Sequence, residues 1–350
     1  MTFDINDKAA TNSVWNLLKE LSTKAGITEI IINQTNNVYI ERAGEFIRLN
    51  VTLDRFDIDS FINDIADYNQ KTFNELNPIL DGRLPDGSRI NVISDSFSQN
   101  CPAITIRKYL KSIKRFESSP GIFGLTPRMI EFVKAMIFTK FNVMIAGGTG
   151  TGKTTFLNLM LQEISPAQRV ITIEDTRELS FSLPNVVRLE ARSGQQKGTN
   201  LTIRDLLKNT LRMRPDRLII GEVRGAELFD LLQAMNTGHE GSMATLHANT
   251  PGECLNRMEN LYLLSGYDVP LKAVRFQIAT AIDFIIQLGR NKKGERVVRQ
   301  ITEISSMEGD KITMQDIIVT RGDTPVFTGL VPLRIKRLME YNVNSDFFVS

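Results

Sequence analysis

The chain has 350 residues, 42% hydrophobic and 23% charged, a make-up that fits a soluble globular protein with apolar side chains enough for two cores. Lys and Arg number 42 against 40 Asp and Glu, and the resulting charge of +2 gives no support to a nucleic-acid-coating surface. Cys101 and Cys254 stand in unrelated contexts, which argues against a disulfide framework or a cysteine metal site. The start, MTFDINDKAATNS, lacks the pattern of a secretory signal, and no stretch approaches the roughly 18 apolar residues of a membrane span. A cytoplasmic chain that meets a membrane only through partners is expected.

In chain order, Val14, Leu17, Leu18 and Leu21 recur at helical spacing beside Trp15. Ile27–Ile32 is a β-branched run, and Val38–Glu41 and Phe46–Leu49 flank a turn at Ala43-Gly44. Phe61, Ile62 and Ile65 mark a second helix. Arg83-Leu84 and Arg89-Ile90 flank the turn Pro85-Asp86-Gly87, and Ala103–Ile106 is a last strand. These elements predict a small α/β domain over residues 1–108. Residues 109–124, with Lys108 at their border, lose periodicity around Ser-Ser-Pro-Gly and read as a solvated linker whose basic residues are Lys108, Lys111, Lys114 and Arg115.

A second domain, 125–350, opens at Thr126-Pro127, an N-cap followed by proline at the first helical position. Strands at Asn142–Ala146, Val170–Ile173, Leu218–Ile220 and Met243–Leu246 alternate with helices at Lys153–Gln162, Ile203–Leu211 and Leu228–Met235. That alternation predicts an α/β fold with a mostly parallel central sheet covered on both faces. Ile282–Leu288, Val297–Ile304 and Lys311–Val319 read as a β-meander, and Pro332–Tyr341 as a terminal helix.

Chemistry enters at Gly147, Gly148, Thr149, Gly150, Thr151, Gly152, Lys153, Thr154 and Thr155, the spacing of a phosphate-binding loop between an apolar strand and a helix. The glycines let backbone N–H groups face a phosphate, Lys153 reaches the β- and γ-phosphates of ATP, and the Thr154 hydroxyl serves Mg2+. Two more apolar strands end in acids, one at Glu174 and Asp175, the other at Glu222 with Gly221 where many such proteins carry Asp. Both histidines, His239 and His247, lie in one Gly/Ser/Thr-rich segment, which favours a nucleotide-sensing strand over a zinc pair.

Taken in order, the phosphate loop, TIEDTREL, LIIGEVRG and GHEGSMATLHAN resemble the Walker A, Asp box, Walker B and His box of the type II/type IV secretion ATPase superfamily. GITEIIIN, VYIERAG, DGRLPDGSRIN and AITIRKY are similar to the N-terminal domain of its CpaF-like branch, the motors of tight-adherence (Tad) pili. The resemblance implies a RecA-like P-loop domain, a smaller mobile N-terminal domain, and a homo-hexamer with Mg2+ and ATP bound between the domains. It implies that Glu174 activates the attacking water, that Glu222 holds Mg2+ through water, and that His247, with His239 in the same box, senses the γ-phosphate. Arg83, Arg89 and Arg107 would bring positive charge to the phosphates, where it stabilises phosphoryl transfer.

The implied work is on an inner-membrane platform protein, extending or retracting a pilus or driving related secretion, with no nucleic acid involved. Asn69-Gln70-Lys71 departs from the Gly-Arg pair that relatives often carry there. Gly221 motivates an alternative, a nucleotide-gated scaffold with little hydrolysis. The balanced charge and the lack of an aromatic, basic platform argue against a DNA motor.

Overall fold

The computed structural model describes residues 12–42, 44–98, 101–108, 115–117, 121–191 and 200–349. Among these, residues 12–108 form one compact unit, and residues 115–191 with 201–349 form another.

In the first unit, β1 (Ile27–Gln34), β2 (Asn37–Arg42), β3 (Glu45–Leu49), β4 (Ile79–Arg83), β5 (Arg89–Ile93) and β6 (Ala103–Arg107) form an antiparallel sheet in the order β3-β2-β1-β6-β5-β4. Helices α1 (Ser13–Ser22) and α2 (Arg55–Tyr68) start at side-chain caps, Asn12 and Asp54. Their apolar stripes meet alternate strand residues such as Ile30, Ile90, Ile104 and Ile106 in a single core. Trp15 packs edge-on against Phe61 at 4.8 Å and donates its indole N–H to Asp64 Oδ2 at 3.1 Å. Lys108, expected in the linker, instead donates to the Leu21 carbonyl at 3.1 Å, where its charge suits the C-terminal end of α1. Gly44 takes the left-handed backbone that the β2–β3 turn needs (φ +88°), while Ala43 lies outside the described residues.

Lys111 and Lys114 of the expected linker also lie outside the described residues. The linker's last part is packed rather than solvated. Phe116 and Phe123 are buried against Phe156, at 6.2 and 5.1 Å between ring centroids. Two large rings outweigh the absence of periodicity, since each buries a large apolar area.

The second unit is built on β7 (Val143–Gly147), β8 (Val170–Glu174), β9 (Val186–Glu190), β10 (Arg217–Ile220), β11 (Met243–Leu246), β12 (Phe284–Arg290), β13 (Arg296–Glu308), β14 (Lys311–Arg321) and β15 (Thr324–Phe327). They form one sheet in the order β15-β14-β13-β12-β7-β11-β10-β8-β9. Strands β7 to β12 run parallel, and the meander β12–β15 extends the sheet antiparallel, so it is mixed. The central strands are apolar on both faces. Val143 and Ile145 enter the core beneath α3 (Pro127–Phe138) and α4 (Lys153–Leu161). Met144 and Ala146 enter the opposite core, with α5 (Ile203–Thr210), α6 (Glu227–Asn236), α7 (Pro251–Leu263) and α8 (Leu271–Ala281).

Helices α7 and α8 and the edge strand β9 have no counterpart in the sequence expectation. The expected terminal helix shrinks to one turn, α9 (Ile335–Leu338), followed by a 3-10 turn. Its expected first residues are anchored to the sheet: Leu333 and Arg334 both donate their N–H groups to the buried Glu303 carboxylate, at 2.8 and 3.2 Å.

Arg217, at the start of β10, is almost wholly buried and donates to Gln168 Oε1 (2.6 Å) and to the carbonyls of Gly241 (3.2 Å) and Ile137. Burial pushes its guanidinium down to about 10. Arg217→Met is expected to strand these acceptors and lower the unfolding free energy by about 1–3 kcal/mol, read by urea denaturation. An unchanged midpoint would show that the acceptors find other donors.

Candidate active site

The parallel strands β7, β8, β10 and β11 run in one direction, so their C-terminal tips deliver Gly147, Glu174, Gly221 and His247 to the same edge of the sheet. This is where open α/β sheets hold ligands, at the crevice opened when successive connections leave a strand in opposite directions. Here β7 lies between β11 and β12, while the next strand in sequence, β8, lies beyond β10.

The loop after β7 depends on its glycines. Gly150 and Gly152 are left-handed, at φ +72° and +92°. A Cβ on Gly147 would stand 2.5 Å from Thr151 Oγ1 and 3.1 Å from the Leu288 carbonyl. Inside the curve, the Lys153 ammonium donates to the carbonyls of Gly147 (2.9 Å) and Gly148 (3.0 Å). It also lies 3.3 Å from each ring nitrogen of His247.

A chain of polar contacts continues from there. His247 Nε2 is 3.1 Å from Glu222 Oε1, and Arg224 donates to Glu222 Oε2 at 2.7 Å. Burial works to raise the Glu222 carboxyl, but the Arg224 hydrogen bond and the charges of Arg224 and Lys153 outweigh it and hold it below its usual range. Burial and the Lys153 ammonium push the His247 imidazole below its usual value, with Glu222 opposing them. A neutral imidazole between an ammonium and a carboxylate can accept from one and donate to the other.

Glu174 sits deeper. Its Oε1 accepts from the N–H groups of Glu178 (2.7 Å) and Leu179 (2.9 Å), which folds the chain after β8 back over the strand tip. Glu178 in turn accepts from the Thr154 hydroxyl at 3.1 Å. Gly221 is explained by the same carboxylate: a Cβ there would lie 2.9 Å from Glu174 Cγ. The residue that looked like a missing acid is a space requirement.

The two histidines part company. The four residues of β11 span about 13 Å at roughly 3.3 Å each, and His239 precedes that strand while His247 follows it. His239 lies against the Ala234 carbonyl at the end of α6, 3.2 Å away, so the structure does not gather it with the phosphate loop.

Within the first unit, Arg83, Arg89 and Arg107 are direct cross-strand neighbours on β4, β5 and β6, with Glu29 of β1 next in the row. They occupy the face opposite Ile90 and Ile106, which point into the core. Asn69 grips Arg83 from both sides, its amide donating to the Arg83 carbonyl and its Oδ1 accepting the Arg83 N–H, each at 2.9 Å. Gly82 leaves room for that grip, since a Cβ would stand 2.9 Å from Asn69 Cγ. The segment that departs from the Gly-Arg pair thus positions one of the arginines.

Sequence reading passed over Glu178, Arg224 and Arg290, whose Nη2 donates to the Gly150 carbonyl at 3.0 Å. Arg224 and Glu178 had a usable signal, since each is a charge within three residues of an acid at a strand tip. Arg290 had none.

Residues 14–316 match the family model described as type II/IV secretion system protein. The chain belongs to this family. A putative conjugal transfer protein of Mycobacterium tuberculosis is 31% identical over 304 residues, covering 84% of this chain and 85% of the relative. Among solved structures, the ATPase DotB of Legionella pneumophila superposes with a TM-score of 0.60 at 22% identity, covering 82% of this chain and 79% of that one. The pilus retraction motor PilT with bound ADP gives 0.58 at 18% identity, covering 93% and 86%. These likenesses show that the type II/IV secretion fold spans nearly the whole chain.

Two outcomes are expected of this secretion-family site. Gly221→Asp should cost about 1–3 kcal/mol through overpacking against Glu174, and a denaturation midpoint equal to wild type would mean the carboxylate swings aside. The lowered His247 value means the unfolded chain binds the proton more readily, so His247 contributes stability above its unfolded value that is lost as the pH falls. Without added nucleotide, the wild type should lose more stability than His247→Gln between about pH 7.5 and about pH 5.5. Parallel pH profiles would remove His247 as the cause.

Proposed function

We propose that this chain is an ATP-hydrolysing motor. It acts as a homo-hexamer, converting hydrolysis into work on an inner-membrane platform protein to extend or retract a Tad-like pilus of the CpaF branch, or to drive a related secretion step. Its place is cytoplasmic, at the inner membrane; among the described residues no helix is long and apolar enough to cross a membrane. One observation carries the reading: the Lys153 ammonium, the His247 ring and the Glu222 carboxylate are chained at 3.3 and 3.1 Å beside a glycine-shaped loop.

The residues suit Mg2+ and ATP. Lys153 supplies the cation, and the loop curves too tightly at Gly147 for any side chain. The Thr154 hydroxyl and the Glu222 carboxylate are oxygen donors of the kind Mg2+ takes, most of its shell coming from phosphate and water. Bound Mg2+ would neutralise charge on the transferring phosphoryl group. Lys153 and the loop amides orient that group, and His247 reports its presence to Glu222 through the contact they share.

The family resemblance implies Glu174 as the base for the attacking water. Its Oε1 is committed to two backbone N–H groups, an arrangement that favours a role in shaping the loop. Glu178, one contact from Thr154, is the second candidate for ordering water. In the first unit, the arginine row places like charges directly opposite one another. Cations gathered in this way, beside Glu29, are of the kind that stabilises a transferring phosphoryl group. Packing against Glu174 gives Gly221 a reason independent of hydrolysis, and steady-state turnover separates the motor from the nucleotide-gated scaffold.

Lys153→Ala is expected to reduce steady-state ATP turnover at least about a hundredfold; turnover at the wild-type level would refute the motor. Glu178→Gln should lower kcat more than KM if it orders water. A Glu174→Gln variant that falls further than Glu178→Gln would return the base to Glu174.

A further inference from the structure

The phosphate loop is held from outside by the β12–β13 hairpin. Strand β12 runs parallel to β7 with Leu288 opposite Gly147, so the chain leaves β12 beside the loop. Arg290, at that exit, divides its guanidinium between two carbonyls, Gly150 at 3.0 Å through Nη2 and Gly294 of its own hairpin at 2.7 Å through Nη1. Its cross-strand neighbour Arg296 lies against the other left-handed glycine, Gly152, where a Cβ would stand 2.9 Å from Arg296 Cδ. The backbone of Arg290 is itself gripped: Arg299 donates to its carbonyl across Gly289, where a Cβ would lie 2.8 Å from Arg299 Cγ.

A trans peptide carries its C=O and the following N–H in opposite directions. Fixing the Gly150 carbonyl toward the hairpin therefore turns the Thr151 N–H away from it. Gly150, left-handed at φ +72°, has a wide range of ψ open to it, so the loop alone sets the tilt of this peptide loosely and a hydrogen bond from outside narrows it. Backbone N–H direction is what makes such a loop an anion cradle.

We propose that Arg290 is a positioning residue of the phosphate loop, clamping the Gly150–Thr151 peptide so that the Thr151 N–H stays directed for a nucleotide phosphate. This deepens the proposed function and rests on it. Arg290 acts through the loop and not on the reacting atoms, so it governs how tightly nucleotide is held and not how fast it reacts.

The test uses the full chain with Arg290→Ala, Arg290→Lys, Lys153→Ala and, as a surface control on the same hairpin, Lys292→Ala. ADP affinity is measured by calorimetry with and without Mg2+, single-turnover hydrolysis at saturating ATP, and Thr151 amide exchange by mass spectrometry. Arg290→Ala should weaken ADP binding roughly three- to tenfold, the worth of one net hydrogen bond. Hydrolysis of bound ATP should stay within about twofold and Thr151 exchange should rise; Arg290→Lys should recover part of the affinity, and Lys292→Ala should match wild type. Unchanged affinity and exchange in Arg290→Ala would overturn the clamp, as would slower hydrolysis at unchanged affinity. If wild type and Lys153→Ala bind ADP equally, the nucleotide reading itself fails, and Thr151 exchange still decides whether Arg290 orders the loop.

Discussion

Lys153 brings a full positive charge to the inside of a backbone turn, and an ammonium there is tolerable only if acceptors surround it. Two loop carbonyls and the His247 ring supply them. Much of the second unit follows from that requirement. The loop must curl so that Gly147 and Gly148 offer their oxygens, which forbids side chains at the tight points. β11 must end level with β7 so that His247 arrives beside the ammonium. Glu222 must then sit beyond the imidazole, and Arg224 beyond Glu222, so that charge alternates outward from the loop toward solvent.

Much of this was readable from the chain because its chemistry is local. A phosphate loop is a contiguous string with a strand before it and a helix after it, and each strand-tip acid follows its own apolar run. What escaped depends on register or on distant partners. That Arg83, Arg89 and Arg107 stand side by side needs the pairing of three strands. That Gly221 is a steric gap needs Glu174, which a neighbouring strand carries. His239 and His247 looked like companions, yet the apolar run between them, Met243–Leu246, is a strand and so a separator.

Some signals were present and still passed over. Helix α7 opens with Thr250-Pro251 and closes its cap with Glu253, the same device that marks α3 at Thr126-Pro127. Cys254, Leu255, Met258, Leu261 and Tyr262 supply its buried face. The terminal helix failed for the opposite reason. Its propensity was real, but Glu303, buried on β13, anchors Leu333 and Arg334 to the sheet through their N–H groups and the Arg334 guanidinium. Tertiary anchoring of this kind overrides local propensity.

Strand β7 carries the loop but sits between partners made much later. Asn142, just before it, bonds Ser242 across 100 positions and Asp283 across 141. During synthesis at some 5–20 residues per second, the phosphate loop emerges many seconds before either flanking strand exists. Until β11 and β12 dock, neither His247 nor Arg290 can stand beside it. The chain thus acquires its most recognisable motif early and the means to hold it in shape last, so a ribosome-bound fragment ending before residue 284 would display the signature of the site without its architecture.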